Sequence, residues 1–535
     1  MEPKNIDLAV TNIINFGDTD IFPYPIETRI FDDNKAGIID LINKIDKDFY
    51  KYLSDSPPVN ISACVPIGYT GFRWATQIDP IWNAYFLSLV LELAEKIEKV
   101  RIPKAKNVVF SYRFLPDFKE GSLFDKTVNW RSFQEHSIKK AQSADIKYVI
   151  TCDIADFYTR IYHHRLENEL DRIDANREVA PKIKKLIQTF SGTVSYVLPI
   201  GCPASRILAE LSLNAVDSIL QSQGVKFARF VDDYNIFCTS FEEAHSVLTF
   251  LSQKLMKNEG LTLQKHKTQI VSKEEFVKVT ETKLVSSEED DSVQKSKFMS
   301  LSVTYDPYSP TASQDYERIK EELKNFDLMG MLNDELRKSK INQPLSKHLM
   351  RAFAVSSEAV LSDAFILIAD KLNLLYPIFS TVVLVACTHW ERMRPDCKEK
   401  LKDKFLELAR QDSYILKPET HAAFLCKLIA KNQLPENEEL LVTLYGRNLS
   451  SPLITSLIIQ IMAKWNKYYW ISDLKRSFQT MDRWQRKTFI IASYILNDEG
   501  DHWRTHMKSQ FSEFEEFYRD WAALRKQKNN LEAAL

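Results

Sequence analysis

The sequence predicts an α+β domain followed by an all-α array of paired helices, and three observations carry that reading. Between about 106 and 275, β-like runs alternate with helical ones. Beyond about 298, apolar residues recur at helical spacing with little strand-like alternation. Between the two lies VSSEEDDSVQKS, residues 285–296, which is acidic, serine-rich and without periodicity.

Composition agrees. A chain of 535 residues exceeds what one core supports, so two or three domains are expected. Only 12 glycines are present, which favours long helices over a turn-rich all-β architecture. With 71 basic and 72 acidic residues the net charge is -1, so a wide electrostatic funnel is not indicated and any nucleic acid must be held by a local patch. Seven cysteines (Cys64, Cys152, Cys202, Cys238, Cys387, Cys397, Cys426) form no CxxC pair and no Cys/His cluster with zinc spacing, and a reducing compartment suits them. The N-terminal MEPKNIDLAVTN lacks the apolar core of a signal peptide, and no stretch approaches 18 uninterrupted apolar residues. The expectation is a soluble cytoplasmic protein with no membrane association.

Taken in order, residues 1–105 mix short polar segments with one convincing helix, IWNAYFLSLVLELAEKIEKVR, whose apolar residues recur on one face. In 106–284, NVVFSYRF, KYVITCDI, FARFV, YNIFC and LTLQ read as strands, and PASRILAELSLNAVDSIL and FEEAHSVLTFLSQKLMKNEG as helices. Residues 285–297 form the acidic linker. In 298–535, helices open on Pro344, Pro377, Pro418 and Pro452, where the missing N–H costs nothing; separations of 33, 41 and 34 residues suit stacked helical hairpins. Trp465, Trp484, Phe489 and Trp503 are assigned to its core.

One stretch resists a purely structural reading. FARFVDDYNIFC, residues 227–238, sets Asp232 and Asp233 side by side in an apolar run. Such a pair can be a solvated hairpin tip. Burial would instead cost several kcal/mol unless a cation neutralised it. The apolar strand YVITCDIADFY ends on Asp153, and a carboxylate there can face a neighbouring hairpin tip, which is what a pair of divalent cations needs. Between them, VLPIGCPASRILAEL offers Gly201 for close backbone approach, Ser205 near a helix start, and Arg206, which opposes the helix dipole and so calls for an anionic partner. Downstream, GLTLQKHKTQIV places Lys265 and Lys267 after a strand, where lysines usually form a solvated edge.

These four segments, in this order and at these distances, resemble the palm of a reverse transcriptase: DIADFY as motif A, GCPASRILAEL as motif B, FVDD as motif C and LTLQKHKT as motif D. The likeness covers about a third of the chain. It implies a reverse-transcriptase palm and fingers followed by an all-α helical-repeat (HEAT-like) domain. Asp153, Asp232 and Asp233 would be catalytic, with Asp153 and Asp232 holding two Mg²⁺ ions for which Mn²⁺ could substitute. Tyr158 matches the aromatic gate against a ribose 2′-OH, and Arg113, Gly201, Ser205, Arg206 and Lys267 complete the implied nucleotide contacts.

The long helical region and the SYRF before motif A look most like the abortive-infection (AbiK-like) reverse transcriptases of bacterial phage defence. That likeness implies template-independent, protein-primed DNA synthesis from dNTPs, with DNA left covalently attached to the protein. Three departures from the family pattern stand out: Phe230 replaces a tyrosine, Ile200 a glutamine that contacts the incoming nucleotide, and Gln264 an asparagine. Tyr24, between two prolines in DIFPYPIE, is the candidate priming residue, with Tyr50 and Tyr52 as alternatives. A homo-oligomer is expected. Two other readings stay open: a template-copying enzyme of the retron or intron kind, and a helical scaffold carrying a vestigial palm.

Overall fold

The computed structural model describes residues 1–285 apart from Asp20 and Tyr24, and 326–531 apart from Asn529, together with Phe298, Glu321, Leu323 and Lys324. Of the acidic linker only Val285, the end of the helix Lys273–Val285, is among the described residues, and the candidate priming residue Tyr24 lies outside them. The chain divides into two compact units: residues 1–62 with 75–284, and residues 63–74 with 285–535. Residues 63–74, expected within the N-terminal region 1–105, thus group with the helical unit.

Eight strands are present among the described residues: β1 (Ile61–Pro66), β2 (Phe72–Gln77), β3 (Phe114–Asp117), β4 (Ser122–Phe124), β5 (Tyr148–Asp153), β6 (Lys226–Phe230), β7 (Asp233–Cys238) and β8 (Gln269–Ser272). The first unit is organised by an antiparallel sheet in the order β6-β7-β5-β8. Side chains alternate between its faces. Ile150, Cys152, Tyr234 and Ile236 are buried on one face, where Arg229 meets the helix Pro203–Ser222. On the other face Val149, Ala228 and Phe237 pack with Phe133 and Phe276, while Thr151, Asp153, Asp233 and Asn235 line a cleft of about 490 Å³.

Two strand expectations shift. NVVFSYRF forms no strand before Phe114; instead it runs parallel to β6, with Arg229 N–H donating to Val108 O and Phe110 N–H to Arg229 O, both at 2.8 Å. LTLQ touches the sheet through one bridge, Leu263 to Ile154, and the regular strand begins only at Gln269, after a 3₁₀ turn over Lys265–Lys267. The helix Pro80–Val100 carries no single apolar stripe. It is buried on nearly every side through its first three turns, as befits a helix at the centre of its unit.

In the second unit, helices stack so that each packs on the one two ahead of it. Gln343–Val355, Phe379–His389, Glu419–Ile429, Pro452–Lys464, Arg483–Ala492 and Glu513–Gln527 form one such series; Glu358–Ala369, Pro395–Arg410 and Pro435–Arg447 form another. Pro344 and Pro452 sit in the first turn of their helices, Pro418 immediately precedes one, and Pro377 lies in a 3₁₀ turn just ahead of Phe379. All four belong to the first series, so the 33–41 residue spacing is the rise of one helix pair. Trp465, Trp484 and Phe489 are buried, and Trp503 is partly buried against the same core. Tyr69 is fixed in this unit, its hydroxyl donating to Leu374 O (2.7 Å) and accepting from Ile341 N–H (3.1 Å).

Candidate active site

β5 ends on Asp153, and the register sets it directly opposite Asp233, the first residue of β7. Paired residues in an antiparallel ladder project to one face, so these carboxylates are neighbours. Phe230 pairs with Asp233, which leaves Val231 and Asp232 as the two-residue loop between β6 and β7. Asp232 O accepts from Ile154 N–H at 3.1 Å, tying the loop to the end of β5. The adjacent aspartates are thus not themselves the tip: Asp232 ends the loop and Asp233 opens β7, both half-buried and set against a third carboxylate.

Burial, and then the charges of Asp153 and Asp233, raise the Asp232 carboxyl to about 7. Its side chain lies close enough to Asp153 to share a proton with it. Lys267 Nζ donates to Asp153 Oδ2 at 2.5 Å, and although burial alone would lower its pKa, the Asp153 contact raises it. Among the described residues no group of three or more His, Cys, Asp or Glu side chains is arranged to hold a metal ion as it stands. The donor chemistry nevertheless fits a hard divalent cation, because the site offers carboxylate oxygens whose mutual repulsion a cation would relieve.

Tyr158 lies one turn beyond β5, in the short helix Phe157–Arg160, and its backbone O accepts from Leu198 N–H at 2.8 Å. Burial raises its phenol well above the usual range, helped by Tyr112 and Glu210, and Arg206 and Asp232 are also near enough to act on it. Arg206 lies over the Tyr112 ring, 5.4 Å from its centroid. Tyr158, Arg206 and Asp232 therefore come together.

Three other expected contacts do not join them. Arg113 is buried, its guanidinium donating to Val109 O (3.1 Å), Ile102 O (2.7 Å) and Glu98 (2.9 Å), so it has turned into the fold and is not available to a nucleotide. Ser205 is fully buried beside Cys202 Sγ at 3.1 Å, on the inward side of its helix. Gly201 has φ 121°, and an added Cβ would come within 2.8 Å of Thr19 Oγ1, so the space at this glycine is already filled by the protein. Ile200 O accepts from Thr76 N–H (3.3 Å), and its side chain is half-buried.

Backbone strain gathers in this region. Tyr112 (φ 44°), Asp156 (φ 50°), Val197 (φ 94°) and Val231 (φ 56°) all have positive φ without being glycine, and for β-branched valine that conformation is a genuine outlier. Each lies within two residues of Tyr158, Asp232 or Arg113, or bonds to the Tyr158 segment: Val197 N–H donates to Ile161 O, and His163 Nε2 donates to Val197 O at 2.9 Å.

Beneath the hairpin lies a charge network the sequence reading missed. Arg229, wholly buried, donates to Asp217 through Nε (3.0 and 3.1 Å) and Nη2 (2.6 Å), and to Glu210 through Nη1 (3.3 Å) and Nη2 (2.9 Å). Arg101 reaches Glu210 as well, at 2.6 Å. A signal was available: Glu210 and Asp217 are seven residues apart, on one face of their helix, and Arg229 is the one charged residue in FARFV.

The sheet thus brings acidic residues from a strand end and a hairpin tip together. Residues 88–305 match the family described as reverse transcriptase (RNA-dependent DNA polymerase), so the chain contains a reverse-transcriptase-like domain. The retron Ec73 reverse transcriptase of Escherichia coli is 26% identical over 145 residues, covering 24% of this chain and 44% of that protein. The chain thus spans under half the length of this curated relative. Among solved structures, a telomerase of Candida tropicalis truncated from its C-terminal domain overlaps 44% of this chain and 55% of its own (14% identity, TM-score 0.28). The Candida albicans telomerase in complex with a fragment of telomeric RNA overlaps 76% and 70% (11% identity, TM-score 0.30). No helix among the described residues is long and apolar enough to cross a membrane.

Proposed function

We propose that this protein is a DNA polymerase of reverse-transcriptase ancestry that extends a strand without copying a template, begins on a protein hydroxyl, and serves in abortive-infection defence against phage. The single observation that carries polymerisation is the close approach of Asp153 and Asp232 at the ends of β5 and β6, within the matched segment. Asp153 and Asp232 would hold two Mg²⁺ ions, with Asp233 as the supporting acid. When bound, such ions activate an attacking hydroxyl and neutralise the leaving phosphate oxygen. Lys267 is ion-paired with Asp153 beside this site. Tyr158 supports the sugar and Arg206 offers a cation toward phosphate. The stacked helical series supports reading the second unit as a HEAT-like repeat domain.

Purified protein incubated with each dNTP and Mg²⁺ or Mn²⁺, with no nucleic acid, should yield product on a denaturing gel. The product should shift when protease is added, because its 5′ end is attached to protein. Product that runs free before protease treatment rejects protein priming; absence of product with or without nucleic acid leaves the scaffold reading. Peptide mass spectrometry tests Tyr24 as the attachment site, with Tyr50, 63% exposed, as the alternative.

A template-copying reading is favoured by the retron relative. Against it stands Ile200, whose apolar side chain offers an incoming nucleotide no hydrogen bond. We expect products of the same composition whichever homopolymer is supplied, and composition that tracks the homopolymer would establish copying. For Tyr158→Val, ribonucleotide use relative to deoxyribonucleotide should rise about tenfold or more, since the ring that excludes a 2′-OH is gone. An unchanged ratio would make Tyr158 a packing residue.

A further inference from the structure

The two-residue loop that carries Asp232 starts with a β-branched residue in a conformation it avoids. Val231 has φ 56°, the sign a tight two-residue hairpin tip asks for, but a valine bears a steric cost there that glycine or asparagine would not. Both of its backbone polar groups are met from outside the loop. Its N–H donates to Ser111 Oγ at 2.9 Å, and its O accepts from Arg229 Nη1 at 2.7 Å. Ser111 is itself fixed, since its hydroxyl donates to Glu210 Oε1 at 2.5 Å and its backbone O accepts from Arg101 Nη2 at 2.7 Å. Glu210 closes the ring by binding Arg229 and Arg101. Ser111, Glu210 and Arg229 are at most 1% exposed, so none of these bonds competes with water.

Ser111 reaches the loop because residues 108–110 run parallel to β6 and are bonded to Arg229 on both sides. A serine hydroxyl has one proton to donate, and here Glu210 takes it. Its lone pair is thereby turned to Val231 N–H. The hydrogen bonds form a clamp whose far end is a buried carboxylate and whose near end is one residue from Asp232.

We propose that Ser111, backed by Glu210 and Arg229, is a positioning residue that clamps Val231 in its left-handed conformation and so aims Asp232 at Asp153. The inference rests on the polymerase reading only for its kinetic consequence; the clamp itself is testable without activity. Glycine adopts positive φ freely, so Val231→Gly needs no clamp to reach the same turn.

The test uses the full chain carrying Ser111→Ala, Val231→Gly, or both. In Ser111→Ala, amide exchange in peptides spanning 227–236 should accelerate about tenfold or more. Incorporation should fall about tenfold or more in kcat, with the dNTP KM held within about twofold, because a misaimed carboxylate affects the reacting state more than ground-state binding. The double variant should recover part of the lost kcat, a result a merely structural role for Ser111 would not give. Unchanged exchange in Ser111→Ala overturns the clamp, and so does a loss of kcat equally large in the Val231→Gly background. If wild-type protein incorporates nothing with or without nucleic acid, the polymerase reading fails and the exchange measurement alone decides the clamp.

Discussion

Asp232→Asn should yield a folded protein that incorporates no measurable nucleotide. The substitution keeps the shape of the side chain and removes the charge that a divalent ion requires, so incorporation should fall by about 10³-fold or more. Stability should not fall with it. Asp232 is half-buried and its carboxyl is raised to about 7 by burial and by Asp153 and Asp233, so in metal-free buffer the native protein gains nothing from its negative charge. The amide removes that repulsion. The melting temperature without metal should equal or exceed that of wild type, and the rise that Mg²⁺ gives wild type should be lost. Incorporation near the wild-type rate would refute the assignment of Asp232 as a metal ligand; a melting temperature well below wild type would mean that the hairpin depends on its charge.

The strand ends were legible because an apolar run that stops on a carboxylate is costly unless something answers the charge, and both Asp153 and Asp232 stand at such stops. The helical series was legible because a proline can begin a helix but cannot continue one, so Pro344, Pro418 and Pro452 mark the steps of one series. What composition could not reveal was direction. Arg113 follows Tyr112, whose φ of 44° turns the chain so that the guanidinium enters the core toward Glu98. Ser205 and Arg206 are adjacent in one helical turn, and only the packing shows that Ser205 faces Cys202 while Arg206 lies over Tyr112. Partners far apart in sequence were likewise hidden: Ser111 and Val231 are 120 residues apart and meet only because 108–110 adds to the edge of β6.

Arg229→Met should destabilise the protein by about 3–5 kcal/mol, because it leaves two buried carboxylates without their shared cation. That corresponds to a fall in melting temperature of about 10 °C for a unit of this size. The two carboxylates should respond differently. Glu210 retains Arg101 and Ser111, whereas the hydrogen bond left to Asp217 among the described residues is from the Tyr234 hydroxyl, at 3.2 Å. Asp217 is already raised above the ordinary range, burial outweighing Arg229, while Glu210 lies below it because Arg229 and Arg101 overcome its burial. Without Arg229, Asp217 should rise further. A carboxyl raised in the folded state binds its proton more tightly there than in the unfolded chain, so the stability it lends is complete below the unfolded pKa and is lost as pH rises through the folded one. The deficit of Arg229→Met relative to wild type should therefore shrink on acidification toward about pH 4 and be largest at neutral pH. Replacing Arg229, Glu210 and Asp217 together by apolar residues of similar volume should recover part of the loss, since no carboxylate then remains buried without a cation and Arg101, which loses Glu210, keeps Glu98 at 2.9 Å. Thermal melts of both variants from about pH 4 to 8 decide it: a deficit independent of pH, or a triple variant no more stable than the single one, would show that Arg229 acts through packing and not through charge.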